Sequence, residues 1–135
     1  MSKNNEIING KSIGKYCLNW TLDELKKHLP DNYFQKELPN ALLIEIPFLK
    51  FWISTETNRL EQIGVSEGFG AKFLGKIGIG DTFAKVKNIA GDFFDEPYTY
   101  QLTNYPGICF ELKEEAIDED FDELVNPIEF IYVYI

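Results

Sequence analysis

The chain has 135 residues, a formal net charge of −9, 44% hydrophobic residues and 15% aromatic residues. This length predicts one compact domain, 1–135, and the hydrophobic content excludes a disordered protein. The negative charge argues against nucleic acid and anionic membranes as partners and favours a basic protein surface. Two cysteines, Cys17 and Cys109, specify neither a disulfide framework nor a metal cluster, and we expect both to be reduced and buried.

The sequence contains no segment typical of export or membrane insertion. Residues 1–6 lack the apolar stretch of a secretory signal, and the most apolar run, 41–53, is interrupted by Glu45, Pro47 and Lys50. We therefore expect a cytoplasmic protein with no membrane partner.

The first predicted elements are short strands over 6–10 and 13–18, followed by a helix. Thr21 and Glu24 have the spacing of a capping box, in which each side chain bonds the backbone N–H of the other residue. The helix should begin there and end at Pro30. Its apolar positions follow the spacing of one buried stripe: Leu22, Leu25 and Leu29.

Three strand-like runs follow the helix, and their close spacing predicts an antiparallel meander. Side chains alternate between the two faces of a strand. If Phe51 and Ile53 face the helix, Trp52 and Ser54 therefore point to the opposite face. The three runs are 41–46, 51–55 and 60–65.

The second half of the chain is predicted to repeat this order. A strand over 76–79 precedes a helix, which Gly91 should end. The apolar positions of this helix are Phe83, Val86, Ile89 and Ala90. Three further strand-like runs then follow, over 98–103, 108–112 and 127–134.

The order of elements reflects an internal duplication. Residues 15–31 align with 76–92, and 60–65 align with 128–133. The identical positions of the first alignment are Lys15/Lys76, Thr21/Thr82, Lys26/Lys87 and Asp31/Asp92. The fold class predicted is α+β, with two tandem repeats that each consist of a helix packed on an antiparallel β-meander. Repeat one spans about 6–66 and repeat two about 72–135.

Patterns that suggest catalysis or cofactor binding are incomplete. Residues 70–76 match the skeleton of a phosphate loop, but Ile77 occupies the position of the magnesium-binding hydroxyl. Residues 118–129 have the ligand spacing of a calcium loop, but Glu123 replaces the required glycine. His28 is the only histidine, and no nucleophile–histidine–acid arrangement is recognisable around it. We expect no enzyme activity, no cofactor and no metal site, although weak calcium binding by the clustered acids stays open.

Two surface features remain as candidates for function. Residues 111–123 contain eight acids and one lysine, so most of the charge imbalance lies in one segment. This segment is either a solvated loop or a patch that attracts a cationic partner and accelerates association. Its candidate partner-binding residues are Glu114, Glu115, Asp118, Glu119, Asp120, Asp122 and Glu123.

The second feature is aromatic. By strand parity, Phe130, Tyr132 and Tyr134 lie on the same face as Trp52, away from the helix. Aromatic residues in strands usually belong to the core, but on an open face they have the chemistry of binding hot spots. These four residues complete the predicted partner-binding site.

A helix over a curved antiparallel meander, present twice and with aromatic residues on the open face, resembles the architecture of β-lactamase inhibitor protein. The acidic character and small size also resemble the immunity proteins of bacterial polymorphic toxin systems, such as contact-dependent inhibition. The second resemblance implies a cognate toxin domain, often a basic nuclease, that is blocked by tight one-to-one binding.

The sequence thus predicts a stoichiometric protein inhibitor, an immunity protein that occludes the active site of a basic bacterial toxin. The alternative is a small-ligand or envelope-associated binding module that uses the aromatic face. A third possibility, an acidic mimic of nucleic acid, would need carboxylates spread along a surface. The partner's identity and the oligomeric state stay open.

Overall fold

The computed structural model describes residues 5–96, 99–113 and 124–135. Within these ranges the chain forms twelve strands and two helices. The strands are β1 (Glu6–Ile8), β2 (Ser12–Ile13), β3 (Tyr16–Cys17), β4 (Phe34–Glu37), β5 (Ala41–Ile46), β6 (Leu49–Ser54), β7 (Leu60–Val65), β8 (Lys72–Phe73), β9 (Phe93–Glu96), β10 (Thr99–Leu102), β11 (Tyr105–Leu112) and β12 (Ile128–Tyr134). The helices are α1 (Leu22–Lys26) and α2 (Phe83–Ala90).

The strands form one large and one small sheet. The large sheet has eight antiparallel strands in the order β4-β5-β6-β7-β12-β11-β10-β9. Its centre is the pairing of β7 with β12, where Ile63 lies opposite Val133 and Val65 opposite Ile131. The small sheet has the order β3-β2-β1-β8 and contains one parallel pair, β1 with β8.

Helix α1 begins at the predicted capping box. The Glu24 backbone N–H donates to the Thr21 hydroxyl at 3.2 Å, and the Thr21 N–H donates to a Glu24 carboxylate oxygen at 3.0 Å. The carboxylate's hydrogen bonds with Thr21 lower the pKa of Glu24. The cap is thus confirmed, but the helix is only five residues long and fully buries one side chain, Leu25.

Helix α2 lies on the second half of the large sheet. It buries Phe83, Val86 and Ala90, which recur at the spacing of one helical face. Gly91 ends it with φ +89°, a conformation that glycine adopts without steric cost. The Phe83 ring packs edge-on against Phe110 of β11, with ring centroids 5.4 Å apart.

The hydrophobic core has two sides. One side is a face of the large sheet, and the other is formed by the two helices and the small sheet. Phe51, Ile63 and Ile131 contribute fully buried side chains from the large sheet. The Tyr16 ring of β3, in the small sheet, packs against the Phe51 ring of the large sheet at a centroid distance of 4.9 Å. Trp52, the neighbour of Phe51, is half-buried and points to the other face, as the alternation along the strand predicts.

The predicted fold class is wrong. The chain is mostly β, with two short helices and two sheets, rather than two tandem α+β repeats each built from a helix on its own meander. The predicted helix ends at Lys26 and does not continue to Pro30. No strand spans 76–79, where Ile77 makes a single bridge to Phe73. The short N-terminal strands instead join β8 in a sheet of their own.

Candidate partner-binding face

The face of the large sheet opposite the core is the candidate site, and we term it the open face. In the described part of the chain, the helices and the small sheet pack on the other side. Cross-strand pairing places Lys50, Gly64, Tyr132 and Cys109 in one row across four adjacent strands. The relative positions of these residues on the open face are therefore set by the pairing of the strands rather than by contacts with a covering layer.

Three aromatic residues of the open face are in contact, and we term them the aromatic cluster: Trp52, Phe130 and Tyr132. The Trp52 and Tyr132 rings meet edge to face, with centroids 6.0 Å apart. The Tyr132 and Phe130 rings are stacked at 6.1 Å. The ammonium of Lys50 lies 6.0 Å from the Phe130 centroid, where a cation is attracted by the ring. All three rings are half-buried.

Gly64 of β7 provides the space for the Tyr132 ring. The two residues are direct cross-strand partners. A Cβ at Gly64 would lie 2.8 Å from two carbons of the Tyr132 ring and 3.3 Å from the Trp52 ring. Both distances are shorter than ordinary carbon–carbon contacts. Sequence reasoning missed this residue, although a glycine inside the apolar run 60–65 is a signal of close approach.

Tyr134 also lies on the open face. Its hydroxyl donates to the Gln101 side-chain oxygen. The structure thus places all four predicted aromatic residues on one face, and the Tyr132 ring contacts two of the others, Trp52 and Phe130.

Burial and a nearby carboxylate raise the pKa values of two groups on the open face, Tyr132 and Cys109. Burial, followed by the charge of Glu111, raises the pKa of Tyr132, whose hydroxyl donates to a Glu111 oxygen at 3.4 Å. Burial, followed by the same carboxylate, raises the pKa of Cys109 to about 12. These shifts are opposite to the lowered pKa that activates a thiol or phenol as a nucleophile at neutral pH.

Two grooves meet at Phe130. The first has a volume of about 140 Å³ and lies between Phe48, Lys50 and Tyr132. The second has a volume of about 370 Å³ and is lined by Gly80, Lys113 and other residues. Phe130 lines both grooves, so a group bound in either groove would contact the aromatic cluster.

The acidic segment attaches beside this second groove. The described chain stops at Lys113 and resumes at Leu124. The Lys113 N–H donates to the Pro127 carbonyl at 2.8 Å, and the Asn126 amide donates to the Lys113 carbonyl at 3.0 Å. The predicted acidic site residues lie outside the described residues: Glu114, Glu115, Asp118, Glu119, Asp120, Asp122 and Glu123. Lys113, the last described residue before this segment, lines the same groove as Phe130.

Exposed apolar side chains at the sheet edges were also missed by sequence reasoning. Phe34 of β4 is 81% exposed, and Phe94 of β9 is 44% exposed. The β4 run does not alternate between apolar and polar residues, because an edge strand exposed on both faces needs no apolar side.

The described residues contain neither a cluster of metal-ligating side chains nor a membrane-spanning helix. No group of three or more histidine, cysteine or acidic side chains in 5–96, 99–113 and 124–135 is arranged to hold a metal ion. No helix in these ranges has the length and apolar character needed to cross a membrane. Cys109 is buried as expected, whereas Cys17 is half-buried, and both are free thiols.

Comparison with known proteins establishes the fold alone. No protein-family model matches the chain, and no curated protein matches it. Among solved structures, the chain is similar to that of the uncharacterized protein yfeY from Escherichia coli. The TM-score is 0.66 at 12% sequence identity, over 95% of this chain and 99% of that chain. Because yfeY is itself uncharacterized, this likeness says nothing of function, and the resemblance to β-lactamase inhibitor protein and to immunity proteins stays a prediction.

Proposed function

We propose that this chain is a stoichiometric protein inhibitor, an immunity protein that neutralises a basic bacterial toxin by occluding its active site. In this proposal it acts in the cytoplasm, without enzyme activity or cofactor. The observation that carries the proposal is the open face, where a rigid sheet presents the aromatic cluster with no covering layer in the described residues.

The dimensions of the open face suit a protein partner. Eight strands spaced about 4.8 Å apart give a width of about 34 Å, and six residues of strand extend about 20 Å. The resulting area of about 700 Å² is close to the roughly 800 Å² that each partner contributes to a standard interface. Tryptophan and tyrosine near the centre of such an area are typical hot spots.

Charge supports the choice of a basic partner. The chain has a net charge of −9, and the carboxylates of Glu111 and Glu129 lie close enough to Tyr132 to raise its pKa. The acidic segment is attached at Lys113, beside Phe130. Steering by such a charge distribution increases association rates by roughly 10- to 1,000-fold at low salt. The aromatic cluster would then determine the dissociation rate.

The second candidate function is a small-ligand or envelope-associated binding module. The groove of about 370 Å³ beside Phe130 favours it, because ligand pockets begin at roughly 300 Å³. A thermal-shift screen against metabolites separates the two functions. A ligand would stabilise the isolated protein, whereas an inhibitor would be stabilised only by its protein partner.

The decisive experiment takes a basic toxin-like domain from the genes adjacent to the one for this chain and uses that domain in purified form; a neighbourhood without any such domain would count against the proposal. Titration of the chain should abolish the toxin's activity with an end point at one-to-one stoichiometry. Trp52→Ala and Tyr132→Ala should each accelerate dissociation about 30-fold, the equivalent of a hot spot of about 2 kcal/mol. Lys87→Ala, on the exposed side of α2, is the matched control and should change neither rate. Full toxin activity in the presence of excess chain would exclude the inhibitor.

A further inference from the structure

Strand β4 is an unpaired edge of the large sheet in the described structure. It pairs with β5 on one side only, through Phe34 opposite Glu45 to Glu37 opposite Leu42. All four of its residues are exposed. Edge strands present a row of free backbone groups that can pair with another chain.

The direction of these backbone groups follows from the adjoining turn. The Leu38 N–H donates to the Ala41 carbonyl at 2.8 Å, so this pair is hydrogen-bonded across the two strands. Hydrogen-bonded and non-hydrogen-bonded pairs alternate along antiparallel strands. Lys36 and Phe34 therefore bond to β5, whereas the backbone N–H and C=O groups of Gln35 and Glu37 point outward from the sheet.

Two devices that commonly protect an edge strand, a β-bulge and a proline, are absent from β4. The β4–β5 register is regular over four pairs, with no bulge and no proline within the strand. Lys36 is the only cation in the strand. The opposite edge strand, β9, differs in having a side chain packed in the core: its Phe93 ring contacts Phe83, at a centroid distance of 4.5 Å.

The two faces of β4 would select different side chains of an added strand. Phe34 and Lys36 lie on the open face, where they border a groove of about 440 Å³ with Leu43 and Glu45. Phe34 offers an apolar contact there. Gln35 and Glu37 lie on the opposite face, so an added strand would place a cation beside the Glu37 carboxylate.

We infer that β4 pairs with an extended basic segment of the partner, which adds a ninth strand to the large sheet. This inference rests on the proposed inhibitor function and names a second contact made by the same partner. Charge decides the occupant: two copies of this chain, each of net charge −9, repel one another, whereas a basic segment is attracted. The matching segment alternates apolar residues, which meet Phe34, with basic residues, which meet Glu37.

The test uses a labelled seven-residue peptide in which arginine and valine alternate. Binding to the full chain is measured by fluorescence anisotropy, and backbone amide shifts locate the site by NMR. We expect the largest shifts at Gln35 and Glu37. A control peptide of equal charge, N-methylated at every second residue, lacks donors on one edge and should bind at least tenfold more weakly. Equal binding of both peptides, or no binding by either, would overturn the inference.

Two variants test the same contact from the protein side. Gln35→Pro removes an outward N–H that the fold does not use and should weaken peptide binding about three- to tenfold, whereas Gln35→Ala retains the N–H and should not. If Gln35→Pro fails to fold, the N-methylated peptide still decides. Dimerisation of the isolated chain through β4, detected by sedimentation, would also overturn the inference. The peptide assay contains no toxin, and the control Lys87→Ala should leave peptide binding unchanged, so failure at β4 is distinguishable from failure of toxin inhibition.

Discussion

The fit between Gly64 and Tyr132 can be tested by adding one methyl group. In a strand, alanine is normally about 0.5–1 kcal/mol more stable than glycine. At Gly64 the new Cβ would lie 2.8 Å from two carbons of the Tyr132 ring, and overpacking of this kind costs about 1–3 kcal/mol. We therefore expect Gly64→Ala to lower the free energy of unfolding by about 1 kcal/mol, the difference between these opposing effects.

A double-mutant cycle isolates the contact. In the Tyr132→Ala background the ring is absent, so Gly64→Ala should stabilise the protein by about 0.5–1 kcal/mol. The coupling between the two sites should then be about 2 kcal/mol, within the range measured for residues in contact. Urea unfolding of the four proteins gives these free energies. The emission of Trp52, whose ring is also 3.3 Å from the new Cβ, should change in Gly64→Ala.

The sign of the single substitution decides the outcome. If Gly64→Ala stabilises the protein equally with and without the Tyr132 ring, then the ring does not lie over this glycine. The packing of the aromatic cluster described above would then be wrong.

Three further predictions concern ionisation and the helix cap. Folding raises the pKa of Cys109 from 9.0 to about 12, so its contribution to stability is complete below pH 9 and is lost as the pH rises toward 12. Between pH 8 and pH 10 the urea-unfolding free energy should fall by about 1.4 kcal/mol more than in Cys109→Ala, and equal decreases would contradict this. Mass spectrometry of the folded protein after brief iodoacetamide treatment at pH 8 should show alkylation of Cys17 well before Cys109; equal rates would contradict the burial of Cys109. Thr21→Ala removes the capping box and should cost about 1 kcal/mol by urea unfolding, whereas an unchanged midpoint would show that α1 does not depend on it.

The sequence predicted those features that depend on local or periodic signals. Thr21 and Glu24 specify a helix start through two hydrogen bonds between residues three apart, and the structure contains both. The predicted runs 41–46 and 60–65 correspond to β5 and β7. The alternation along β6 correctly separated buried Phe51 from half-buried Trp52.

The features that were missed lack such signals. Strand β4 is exposed on both faces, so its sequence has no alternating pattern to detect. Strand β8 is two residues long and is specified by parallel pairing with β1, more than sixty residues earlier. The run 76–79 alternates like a strand, yet Ile77 is buried through a turn that returns to Phe73. In each case tertiary contacts outweigh local preference.

The candidate site depends on the pairing that joins the two halves of the large sheet, β7 with β12. Trp52 is on β6 and Tyr132 is on β12, and the strand between them is β7. The rings meet only because β7 pairs with β12 in the register that places Gly64 opposite Tyr132. A shift by one residue would turn Tyr132 toward the core and Val133 toward solvent. The same register that buries Val133 and Ile131 therefore also assembles the aromatic cluster, so the stability of the sheet and the geometry of the proposed binding face are inseparable.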